Sequence, residues 1–171
     1  MNQNDTFEKR KQLRLKNFDY SSNGAYFVTV CTCERRRILS DIVVGAIHES
    51  PAVKLTNFGK IAEITLCALS DKYKNVTILN YVIMPDHVHF IVVLHDAERA
   101  IRESPLQKRS ELSKIVGFFK ATVSKNINKT YSKTTLWQRG YYEHIIRSEN
   151  DMSEICNYIK TNPQKWANEN K

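Results

Sequence analysis

The chain has 171 residues, 42% hydrophobic and 26% charged, which suits one soluble globular domain with a substantial core. Only 5 Gly and 4 Pro exclude collagen-like and low-complexity architectures, and no apolar run is long enough to cross a bilayer. Lys and Arg outnumber Asp and Glu by 26 to 18, and the resulting net charge of +8 favours polyanionic partners, nucleic acid before anionic membrane.

The polar N-terminus lacks the pattern of a signal peptide, so a cytoplasmic protein without membrane association is expected. Residues 1–17 read as a basic arm ahead of a single domain over 18–171. Tyr26 to Thr32 is rich in β-branched and aromatic residues and predicts a strand. The short apolar pieces Ile42–Val44 and Ala52–Leu55, separated by Gly45 and Pro51, predict an appended hairpin. Apolar positions Ile61, Ile64, Ala68 and Leu69 recur at helical spacing within residues 57–74. Two strands follow, 76–84 and 87–94, joined by a tight turn at Pro85-Asp86.

Residues 96–110 are strongly polar and read as a loop. Ser110 is placed to cap a helix running to about Asn128, with Leu112, Ile115, Val116, Phe119 and Val123 as its apolar stripe. A last strand is expected over 141–147. A final helix, capped by Ser148 or Asn150, is expected to stop near Asn162, because the residue before Pro163 resists helical dihedrals. Cys31, Cys33, Cys67 and Cys156 form no Cys-x-x-Cys pair and read as reduced thiols. The order of elements is that of an α+β, ferredoxin-like split βαβ sandwich, an antiparallel sheet with two main helices on one face.

The pair His87-Val88-His89 stands in the most apolar segment of the chain. Residues two apart on a strand share a face, so the two imidazoles can share a metal ion; on spacing alone, hydrogen-bonded strand histidines explain them equally well. Val88, Phe90, Val92 and Leu94 make an apolar face for the two main helices. The histidines then face the other way, and the final helix is the natural cover. On it, Tyr158 and Asn162 are four apart and share a face, so an amide oxygen and a phenol could reach a metal. A phenolate is a competent nucleophile at phosphorus, and a metal can polarise the phosphate it attacks.

"YVIMPDHVHFIVV", "IVGFFKATVSKNIN" and "LWQRGYYEHIIRSENDMSEICNYIKTNPQKW", opened by "LKNFDYSSNGAYFVTVCT", resemble the REP-associated tyrosine transposases, among the single-tyrosine HUH transposases of small bacterial insertion sequences. The resemblance spans about Arg14 to Trp166. It implies that His87 and His89 are the metal ligands, that Tyr158 is the nucleophile and that Asn162 is a third, amide ligand. It further implies cleavage and strand transfer of single-stranded DNA at hairpin-forming repeats, with Mg²⁺ or Mn²⁺ and a 5′-phosphotyrosine intermediate, by a monomer or a homodimer. Asp86 departs from the Asn that often precedes the first histidine, and could tighten metal binding or finish the turn. Lys108, Arg109, Lys114, Lys120, Lys125 and Arg139 are the candidate DNA contacts, positioning phosphates without reading sequence. His144 reads as a plain sheet histidine, with lining the site as the alternative; Trp137 and Trp166 read as packing residues, with stacking on bases as the alternative. The alternatives to a transposase are a non-catalytic basic nucleic-acid-binding module and a metal-dependent nuclease that uses water.

Overall fold

A computed structural model describes residues 23–44, 51–95, 110–131 and 135–170. The basic arm, most of the polar loop after residue 95, and Lys108 and Arg109 fall outside the described residues.

Among the described residues six strands and three α-helices follow one another: β1 (Gly24–Cys31), β2 (Ser40–Val43), β3 (Ala52–Leu55), α1 (Asn57–Lys72), β4 (Val76–Ile83), β5 (His87–Leu94), α2 (Glu111–Thr130), β6 (Tyr142–Ile146) and α3 (Glu149–Glu169), with a single 3-10 turn at Cys33–Arg35. The main sheet has the order β4-β5-β1-β6, antiparallel throughout, which is the split βαβ arrangement expected. The predicted hairpin is β2–β3, a separate two-stranded ribbon.

Alternation along β1 and β5 divides the sheet. Tyr26, Val28 and Val30 join Val88, Phe90, Val92 and Leu94 in a core completed by α1 and α2. The stripe of α2 is as predicted and continues to Ile127, and Ser110 caps the helix by accepting a hydrogen bond from the Ser113 amide.

On α1 the buried face is shifted from the predicted one. Gly59, Ala62, Thr65, Leu66 and Leu69 are buried, whereas Ile64 and Ala68 are exposed. The rotation has a steric cause at Gly59. A Cβ there would stand 2.0 Å from the Leu39 carbonyl oxygen, so the helix meets the chain before β2 along its one side-chain-free position.

The final helix also departs from expectation. It does not stop at Asn162 but runs through Pro163 to Glu169, with Ser148 as its cap. Proline inside a helix removes one backbone bond and disfavours the preceding turn. Here Ile159, Pro163 and Ala167 are buried, and the last turns are moored to the segment before β2. The Arg37 guanidinium lies 5.2 Å from the centre of the Trp166 ring and donates to Asn170 Oδ1 at 2.5 Å. Packing outweighs the local bias against a helix at that point.

Candidate active site

The histidines occupy the sheet face opposite the two main helices, and α3 crosses that face. His87 and His89 are 7% and 5% exposed, and their ring centres are 4.4 Å apart. The Tyr158 hydroxyl lies 3.4 Å from His89 Nε2. The Trp166 ring centre is 6.0 Å from that of His87. Tyr158, Asn162 and Trp166 are successive i, i+4 positions, so buried Asn162 lies between the residues that meet the two histidines. The extension of α3 past Pro163 therefore makes Asn162 an interior helical residue rather than a terminal one.

Each imidazole is oriented from behind. His89 Nδ1 is 2.8 Å from the Thr29 hydroxyl, and His87 Nδ1 is 2.5 Å from Asp86 Oδ1. A proton on Nδ1 of each ring satisfies both partners and leaves each Nε2 its lone pair, the arrangement by which metal-binding histidines are usually held. Burial, then repulsion from His87 and Arg35, lowers the His89 pKa to about 3 against a weaker opposing pull from Asp86, so this ring is neutral over the ordinary pH range. Phe27 stacks on His89 at 5.1 Å and meets Tyr158 edge-on at 5.9 Å, filling the remaining side.

Asp86 finishes the turn with its backbone and meets His87 with its side chain. Its carbonyl accepts from the Thr32 amide and hydroxyl, both at 2.9 Å, which fixes the turn. Its carboxylate bridges His87 to Arg35, whose Nη1 is 3.4 Å from Oδ2. Burial raises the carboxyl's pKa, but the hydrogen bond and charge of His87, with Arg35, outweigh it and hold the group below its ordinary range. Arg35 reaches Asp86 from a strained turn in which Glu34 (φ 56°) and Arg35 (φ 53°) both adopt the left-handed region.

Among the described residues no cluster of three or more His, Cys, Asp or Glu side chains could hold a metal. The candidate donors, two imidazole nitrogens and the amide oxygen of buried Asn162, would make a neutral, three-membered set. Such a set would suit a divalent cation that keeps open positions and most of its charge for an anionic ligand.

The described candidates for DNA contact lie on α2 and on the loop that packs beside it. Lys114, Lys120 and Lys125 belong to α2, in the layer behind the sheet. Lys114 pairs with Glu111 at 2.9 Å, and Lys125 is exposed. The half-buried Lys120 donates to the carbonyls of Gln138 and Gly140 at 2.7 and 2.6 Å, so its ammonium holds the loop before β6. Arg139, on that loop, is exposed. Trp137 packs beneath the loop, buried against Phe119 with its indole N–H on the Lys120 carbonyl. His144 is paired with Asp151 at 2.9 Å, tying β6 to the first turn of α3. The four cysteines are free. No helix among the described residues is long and apolar enough to cross a membrane.

Residues 20–162 match the family described as IS200-like transposases. The chain belongs to that family. An uncharacterized protein of Haemophilus influenzae is 31% identical over 92% of this chain and 89% of its own length. A second protein of that organism, named for the REP-associated tyrosine transposases, is 29% identical over 86% of this chain and 74% of its own. Among solved structures, a REP-associated tyrosine transposase bound to a REP hairpin shares the fold. It has a TM-score of 0.59 and 19% identity, and the match covers 89% of this chain and 74% of that one. The IS200-like membership agrees with the resemblance seen in the motifs, and the shared fold agrees with the two-layer sheet and helices.

Sequence reasoning missed Thr29, Phe27 and Arg35. The first two are visible in the alternation of β1 only once its register against β5 is known, with Thr29 opposite His89. Arg35 carries no sequence signal beyond its place in a basic triplet.

Proposed function

We propose that this transposase cuts and rejoins single-stranded DNA at hairpin-forming repeats through a covalent 5′-phosphotyrosine at Tyr158. The observation that carries this is the Tyr158 hydroxyl 3.4 Å from His89 Nε2, on a helix moored at both ends over two oriented histidines. His87, His89 and Asn162 would hold a divalent ion, Mg²⁺ or Mn²⁺. That ion, when bound, polarises the scissile phosphate and offsets its charge.

The chain's own residues do the rest. Phe27 and the helix hold the phenol beside the histidines, so the attacking oxygen and its target meet in one orientation. The Tyr158 oxygen forms a bond to phosphorus as the bond from phosphorus to the 3′-oxygen breaks. In net, the phenolic proton ends on that departing oxygen. One phosphodiester replaces another, so a later 3′-hydroxyl can reverse the exchange and rejoin a strand. The similar structure solved on a REP hairpin supports a hairpin-forming nucleic acid as the partner.

The test is incubation with labelled single-stranded hairpin DNA and Mn²⁺, followed by denaturing electrophoresis. A denaturation-resistant protein–DNA adduct is expected from the native chain. Tyr158→Phe should abolish it while leaving DNA binding intact. An adduct that survives Tyr158→Phe overturns the assignment. Cleavage without adduct indicates water as nucleophile, and binding without cleavage indicates a non-catalytic module.

A further inference from the structure

The sheet face that carries the histidines continues beyond α3. The helix leaves the end of β6 and crosses β1 and β5, meeting Phe27 and His89 through Tyr158. It reaches β4 where Ile159 and Pro163 line a recess with Asn80 and Val82. The pair His144–Asp151 marks where the cover begins on β6. Tyr142, two residues earlier on the same face, lies outside it.

Register places that ring with respect to the site. Tyr142 is opposite Thr29, and Thr29 is opposite His89. Directly opposed residues of antiparallel strands point to the same side, so the three form one row across β6, β1 and β5. With strands about 4.8 Å apart, the Tyr142 backbone is roughly 10 Å from that of His89. Tyr142 is 49% exposed, the most exposed aromatic side chain among the described residues. It is a single ring rather than part of an apolar patch. Arg139 is exposed three residues before it, and Lys120 supports the loop between them. A flat π face beside cationic groups suits a ligand that is itself flat and anionic, and does not suit an apolar protein surface.

We propose that Tyr142 is a stacking platform for an unpaired nucleobase of the strand that enters the Tyr158 site. This rests on the single-stranded substrate of the function proposed above. Stacking on such a platform tolerates any base, because each has a π face. Tyr142 would then set the path and register of the strand, and its sequence preference would come from elsewhere.

The probe is a hairpin oligonucleotide with mixed-sequence unpaired extensions carrying 5-iodouracil. Anisotropy titration measures binding, and ultraviolet cross-linking with peptide mass spectrometry identifies the ring touched. The native chain should bind and cross-link at Tyr142. Tyr142→Phe and Tyr142→Trp should keep affinity, whereas Tyr142→Leu should lose about tenfold with an unchanged thermal midpoint. Native-like affinity in Tyr142→Leu, cross-links confined to other residues, or no binding by the native chain would each overturn the proposal. Adduct formation at Tyr158, scored in parallel, separates the two hypotheses. Tyr142-dependent binding without an adduct removes the covalent chemistry and leaves the platform. An adduct with affinity indifferent to Tyr142 removes the platform alone.

Discussion

At the scale of single residues, the most informative side chain is one that touches no substrate. Asp86 accepts from His87 on one side and meets Arg35 on the other, so its carboxylate fixes the ring whose far nitrogen faces the site. Removing such a partner from a metal-binding histidine commonly lowers metal affinity by about 10- to 100-fold. Asp86→Ala should therefore weaken Mn²⁺ binding by that order in calorimetric titration. Asp86→Asn, which keeps an acceptor oxygen, should retain most of it. Equal Mn²⁺ affinity in Asp86→Ala and the native chain would mean that His87 needs no such support. The departure from Asn at this position then has a chemical meaning, since a carboxylate is the stronger acceptor of the two.

At the scale of elements, two glycines on helices of the same layer should respond oppositely to the same change. Gly59 meets the Leu39 backbone, and an added methyl has nowhere to go. Gly59→Ala should destabilise by about 1–3 kcal/mol despite alanine's better helix propensity. Gly117, with nothing within 4 Å of a Cβ, should gain roughly 0.5–1 kcal/mol as alanine. Thermal or urea unfolding of both variants checks the pair, and a shared sign would show that the Leu39 contact relaxes freely. This contact also explains what was legible in the sequence. The strands, the turn at Pro85-Asp86, the stripe of α2 and the two faces of β5 follow from local periodicity, and each was readable. So was the pairing of Tyr158 with the histidines, because a motif carries it. The rotation of α1 and the continuation of α3 through Pro163 were not, since each is decided by a tertiary partner: Leu39 in one case, Arg37 and the buried side of the helix in the other. Thr29 was hidden for the same reason, because register is a property of two strands.

At the scale of the whole molecule, the α2 lysines and the candidate site lie on different layers, while Lys165 and Arg37 place further cations on the side of Tyr158. The α2 lysines are behind the sheet, and Tyr158 is in front of it. Binding and cutting should therefore separate. Lys125→Ala should weaken DNA binding uniformly across sequences and reduce the slope of log affinity against log salt by about one. Its yield of Tyr158 adduct at saturating DNA should be unchanged. An unaltered salt slope would place the phosphates away from α2.

The mooring of α3 has a consequence for which form of DNA is admitted. Ring contacts of 5–6 Å join the helix to the strands beneath, so the layer between them is filled by side chains one deep. A double helix is too thick to slide beneath such a bar. An unpaired strand is thin and flexible enough to bring one phosphate to the exposed edge of Tyr158 from the open side where Tyr142 lies. In the proposed reaction, discrimination against duplex is thus a matter of clearance, exercised mechanically before any base is read or any bond is strained.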